Sequence, residues 1–145
     1  MHSKIIHNTS GLRTIAAIFE AGDEVMSGLR ELSRREKIRG AQITGIGAFS
    51  DALLAYFDWD EKDYREIPVD DQVEVASLTG DIGVNPDNSP AIHIHIVLGR
   101  RDGSAVAGHL VKAHVRPTLE LILTDSPEHL CRRKDPESGL NLIQL

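Results

Sequence analysis

The stretch Ile92-His93-Ile94-His95-Ile96-Val97-Leu98 alternates strictly, and it constrains the chain more than any other. Ile92, Ile94, Ile96 and Leu98 project to one side while His93, His95 and Val97 project to the other. That period of two marks a strand with one buried face, and β-branched residues suit its pleated surface. Two histidines therefore sit one pleat apart on the face turned away from the core. Beyond an Arg101-Asp102-Gly103 turn a third histidine follows, His109.

Register decides whether His109 joins the pair. A three-residue loop with Gly103 at positive φ sets Arg100 against Ser104 and His95 opposite His109. Residues so placed share a face, with Cβ atoms about 4.5–5.5 Å apart. A two-residue Asp102-Gly103 turn instead pairs His109 with Ile96 and sends it to the apolar side. Both registers are open to this sequence. In the first, His93, His95 and His109 form a triangle of imidazoles suited to a first-row divalent ion, zinc above all. A fourth position then stays open to water or a ligand. The competing account is a solvated histidine face, or histidines hydrogen-bonded within a subunit interface.

The remaining chain reads as sheet with one helix. Residues 12–19 make a first strand. Asp23 can cap an amphipathic helix bearing Val25, Met26, Leu29 and Leu32 and closed by Gly40, about four turns in all. Residues 41–48 and 52–57 read as two strands. Gly45-Ile46-Gly47 is a bulge or a site of close backbone approach rather than a nucleotide loop, because no third glycine and no helix follow. Strands over 64–69 and 72–78 come next, with Val73, Val75 and Ser77 sharing a face opposite Glu74. A loop over 85–90 precedes the histidine hairpin, and a last strand spans 115–124. Ser126-Pro127-Glu128 starts a short helix, ahead of an apolar tail over 140–145. Many short strands and one long helix predict a single α+β domain over residues 1–145, built on a mainly antiparallel sheet. One helix leaves sheet uncovered, so self-association is expected.

Charge narrows the function. The 145 residues carry 16 Lys and Arg against 22 Asp and Glu, a net charge of −6. Such a chain lacks the electrostatic footprint for a phosphate backbone, which argues against direct nucleic-acid contact. The clusters around Arg30-Arg34-Arg35 and Arg132-Arg133-Lys134 are interleaved with acids and read as solvated helix faces. Cys131 is the one cysteine, so no intrachain disulfide forms and a reducing cytoplasm fits. Neither a signal peptide nor an apolar run of about 18 residues is present, so a cytoplasmic protein without membrane contact is expected.

Six segments, in order, carry a resemblance. They are Thr44-Gly45-Ile46-Gly47-Ala48, Tyr56-Phe57-Asp58, the run from Glu74 through Ser77-Leu78 to Ile82, His93-Ile94-His95, Gly108-His109-Leu110 and Thr118-Leu119-Glu120. Together they resemble the plant and prokaryote conserved (PPC) domain family, in its stand-alone bacterial and archaeal form. The resemblance implies an α+β fold around an antiparallel sheet, a homotrimer, and His93, His95 and His109 as metal ligands, usually for zinc. Plant relatives place the domain beside an AT-hook and use it for assembly. No Arg-Gly-Arg hook occurs in this chain.

Three functions are compatible with these residues. One is a trimeric metal-binding domain, regulatory in role, whose open coordination position takes a small ligand oriented by Tyr56. Another is a zinc-dependent hydrolase or lyase in which metal-bound water works with Glu74. The third is an assembly module associated with DNA binding, as in the plant relatives. Outside the triad, His114 differs in parity from His109 and should face away, while His2, His7 and His129 should be solvated.

Overall fold

The computed structural model describes residues 1–126 and 129–144. In chain order the elements are β1 (His2–Thr9), β2 (Leu12–Glu20), α1 (Val25–Glu36), β3 (Ala41–Asp58), β4 (Asp63–Val69) and β5 (Val73–Val84). They continue with β6 (Pro90–Gly99), β7 (Ala105–Asp125), β8 (Arg132–Lys134) and β9 (Asn141–Ile143). Seven strands form one sheet in the order β1-β2-β7-β6-β5-β3-β4, and β7 pairs additionally with β3. The pairings β3–β5, β5–β6, β6–β7 and β7–β3 close a circuit, which a sheet can do only by curling on itself. All are antiparallel.

This is a β-rich fold, not α+β with one long helix and short strands. β3 and β7 run for 18 and 21 residues, whereas α1 has only 12. The expected strands over 41–48 and 52–57 are one strand, and the last strand is continuous with the histidine hairpin. Bulges are the reason. Register shifts at Gly45/Gly47, Phe49/Asp51 and Leu53/Leu54 let β3 bend while pairing β5, β4 and β7 in turn. Each shift breaks the period of two, so one long strand reads as several short ones. A similar shift between Val75 and Ser77 reverses parity in β5, so Leu78 is buried and Ser77 is not.

The helix is shorter because its caps lie inside the expected ones. The Glu24 carboxylate, not that of Asp23, accepts from the Met26 and Ser27 amides at 3.0 and 2.8 Å. Lys37, at φ 56°, ends the helix three residues before Gly40. Asp23 instead accepts from the Glu20 amide and meets the N-terminal ammonium of Met1, both at 2.8 Å. Leu29 and Leu32 dock fully buried beside Phe19, Leu98 and Leu110 in a common core. Each such leucine contributes at most about 1.5–3 kcal/mol.

β1 was not expected. Its residues are almost all exposed, so no apolar alternation announces it; it pairs with β2 through a Ser10-Gly11 turn at positive φ. The start of the expected terminal helix, Pro127 and Glu128, lies outside the described residues. Beyond it, β8 pairs with β9, which lies within the expected apolar tail.

Candidate metal centre

The loop joining β6 to β7 sets the register. The Arg100 amide donates to the Ser104 carbonyl at 2.8 Å, and the Gly103 amide to the Arg100 carbonyl at 2.9 Å. Gly103 adopts φ +83°. Asp102 Oδ1 accepts from the Ser104 amide and hydroxyl at 2.9 and 2.6 Å, which locks the turn. This is the three-residue loop, and it sets Gly99 against Ala105 and His95 against His109. On its other edge β7 sets His109 opposite Ala55 of β3. Two glycines allow the strands to come this close. A Cβ on Gly80 would lie 2.1 Å from the His93 carbonyl oxygen, and one on Gly108 2.9 Å from the Ala55 carbonyl oxygen.

The three imidazoles converge. One nitrogen from each of His93, His95 and His109 lies within 4.8 Å of the others, and His93 Nε2 is 3.2 Å from His95 Nε2. A tetrahedral zinc with bonds of about 2.0–2.1 Å holds its nitrogens about 3.4 Å apart, so small ring rotations complete the set. The neutral state of the rings favours ligation. Burial, then the positive charge of His93 and His95 when protonated and of Arg132, lowers the pKa of His109 to about 4. Burial also lowers that of His93, with Arg132 and His95 adding to it against the opposing pull of Asp81. Both rings are therefore neutral at pH 7, as metal ligands must be. His109 Nδ1 is buried without a hydrogen-bond partner among the described residues. A set of neutral imidazoles with an unsatisfied buried nitrogen fits a divalent ion. Such an ion would keep its full charge there and supply a Lewis-acidic open position.

Behind the triad, Asp81 places Oδ2 4.0 Å from His93 Nδ1 and holds Arg132 through Oδ1. Arg132 donates as well to the Asn141 carbonyl at 3.0 Å, tying the β8–β9 hairpin to β5. In front, a cavity of about 590 Å³ opens on the histidines, walled by Phe57 and Tyr64 and by Arg30, Arg34 and Arg132. The Tyr64 ring centroid is 5.3 Å from that of His109.

Tyr56 and Glu74 are not brought to this cavity. Tyr56 is 63% exposed and sits opposite Arg65, one residue from the Phe57 that does line it. Glu74 lies opposite Gly99, four residues along β6 from His95. His114 turns away from the triad and bonds Asp51 through Nδ1 at 2.8 Å. His2, His7 and His129 are exposed. The arginines were missed as site residues. Arg30 and Arg34, expected on a solvated face, are exposed yet line the cavity, and Arg132 is buried. Their signal was the spacing of four between Arg30 and Arg34, which puts both on one side of α1.

Comparison with known proteins agrees with the fold. The family model of the Plants and Prokaryotes Conserved domain matches residues 6–127. A metal-containing protein from Archaeoglobus fulgidus is 27% identical, with a TM-score of 0.84 over 100% of this chain and 99% of its own. A plant- and prokaryote-conserved protein from Pyrococcus horikoshii is 29% identical, with a TM-score of 0.85 over 96% and 98%. A Ralstonia eutropha protein, named by conjecture as DNA-binding, is 29% identical, with a TM-score of 0.86 over 98% and 96%. Among curated proteins none matches.

Proposed function

Since the chain belongs to the Plants and Prokaryotes Conserved domain family, we propose that it is a metal-binding domain whose His93, His95 and His109 hold one zinc or similar first-row ion. The ion's remaining position faces the cavity and takes a small ligand. The observation that carries this reading is the convergence of three imidazole nitrogens within 4.8 Å on neighbouring strands. The A. fulgidus relative, a metal-containing protein, supports it. Binding is favoured over hydrolysis because no carboxylate residue, Glu74 included, lines the cavity among the described residues.

The working form is a homotrimer. Ile18, Ile46 and Ile122, on three adjacent strands, are 39%, 63% and 44% exposed, an apolar face suited to self-association. Sedimentation should return three times the 15.9 kDa chain mass.

Metal analysis of the purified protein tests the site. One ion per chain is expected in wild type and none in the His93→Ala/His95→Ala/His109→Ala variant. A wild type that takes up no metal after loading with zinc, cobalt, nickel or manganese sinks the reading. The names of relatives favour a second reading, association with DNA. The net charge of −6 opposes it, and a gel shift at about 0.15 M salt should show no complex beyond non-specific levels.

A further inference from the structure

The cavity beside the histidines is basic in an acidic molecule. The chain has 22 acidic residues against 16 basic ones, yet three arginines and no aspartate or glutamate line this cavity among the described residues. Arg132 is 7% exposed, and Asp81 balances its charge. Even so, its Nε is buried without a partner among the described residues. Arg30 and Arg34 are different. Both are exposed, and neither side chain has a hydrogen-bond or ion-pair partner among the described residues. Their neighbour Arg35 is engaged with Glu36 and Ser3. Two uncompensated guanidinium groups thus face the same space as the three imidazoles.

We propose that the ligand of this site is a small organic dianion: one anionic group occupies the metal's open position and the other is held by Arg30 and Arg34. This rests on the metal reading above. Imidazole ligands contribute no charge and leave a divalent ion with its whole charge, which favours an anionic oxygen as fourth ligand. A guanidinium presents a planar fork that matches carboxylate and phosphate oxygens, so a pair of them selects the far end of the same molecule. The volume of about 590 Å³ is that of a metabolite-sized site. Between the charged ends, Phe57, Tyr64 and Ile92 offer apolar wall to a short carbon chain.

The test uses the cobalt(II)-loaded protein, whose visible spectrum reports on the open position. Acetate, succinate and 3-phosphoglycerate are titrated separately. Succinate or 3-phosphoglycerate, each with a carboxylate for the metal and a second anionic group, should bind at least about tenfold more tightly than acetate, which reaches the metal alone. Whichever of the two shows this preference identifies the distal group as carboxylate or phosphate. In Arg30→Gln/Arg34→Gln the preference over acetate should vanish while cobalt stoichiometry stays at the wild-type value. Equal binding of all three anions, or a preference that survives the double variant, overturns the proposal while leaving the metal site standing. Failure of the wild type to take up cobalt removes both.

Discussion

Gly80 and His109 show how single residues hold the centre together. At Gly80 the lack of a side chain lets β5 lie against the backbone of β6, with a virtual Cβ only 2.1 Å from the His93 carbonyl oxygen and 2.9 Å from Ile94 Cα. These obstacles are backbone atoms and cannot rotate aside. Gly80→Ala should therefore lower stability by about 1–3 kcal/mol and weaken metal binding, because the strand that must shift carries two ligands. An unchanged melting temperature and metal affinity would show that the close approach is dispensable. His109 gives a pH dependence. Its folded-state pKa of about 4 lies below the ordinary histidine value of 6.5. Between those values the unfolded chain binds a proton that the folded chain does not, so the metal-free protein loses stability as pH falls through this window. Urea melts of the metal-free protein at pH 7 and pH 5 should show the drop. The drop should shrink in His109→Gln; an equal drop in the variant would assign it to other groups.

Among the elements, α1 and the β6–β7 loop are set by local chemistry. The Glu24 carboxylate satisfies two amides at the helix start, so Glu24→Ala should cost about 0.5–2 kcal/mol in denaturant melts without changing metal content. A helix that tolerates this change would owe its start wholly to the docking of Val25, Leu29 and Leu32. The loop depends on Gly103 at φ +83°. A β-branched residue there is strained, and because the loop fixes the pairing of His95 with His109, Gly103→Val should lower metal affinity as well as stability. Both elements were legible beforehand, the helix from its apolar spacing and the hairpin from its alternation. Their ends were not. Asp23 and Glu24 are both plausible caps by residue type, and only the position of the chain against β7 places Glu24 at the helix start, in a bridge to His114.

At the scale of the molecule, the proposed metal would couple to the fold. The three histidines come from β6 and β7, two sides of a closed circuit of strands. An ion that binds only when the circuit is closed stabilises it by about 2.7 kcal/mol at a free concentration of 100 times its dissociation constant. Zinc-loaded wild type should therefore melt several degrees above the chelator-treated protein, and the triple histidine variant should show no difference between the two conditions. No described helix is long and apolar enough to cross a membrane.

The alternation in Ile92–Leu98 by itself determined a strand with two histidines on the face away from the core, because a pleat has period two. Gly103 made the turn expected, but the same residues served two registers, and His109 falls on opposite faces in them. Only the tertiary structure chose, since the loop hydrogen bonds and the burial of Leu110 opposite Leu54 hold one pairing. It alone revealed the long bulged strands, because each bulge erases the period that announces a strand. The three arginines, distant along the chain, share one cavity because the curl of the sheet carries α1 and the β8–β9 hairpin to the same opening. No local pattern encodes that meeting.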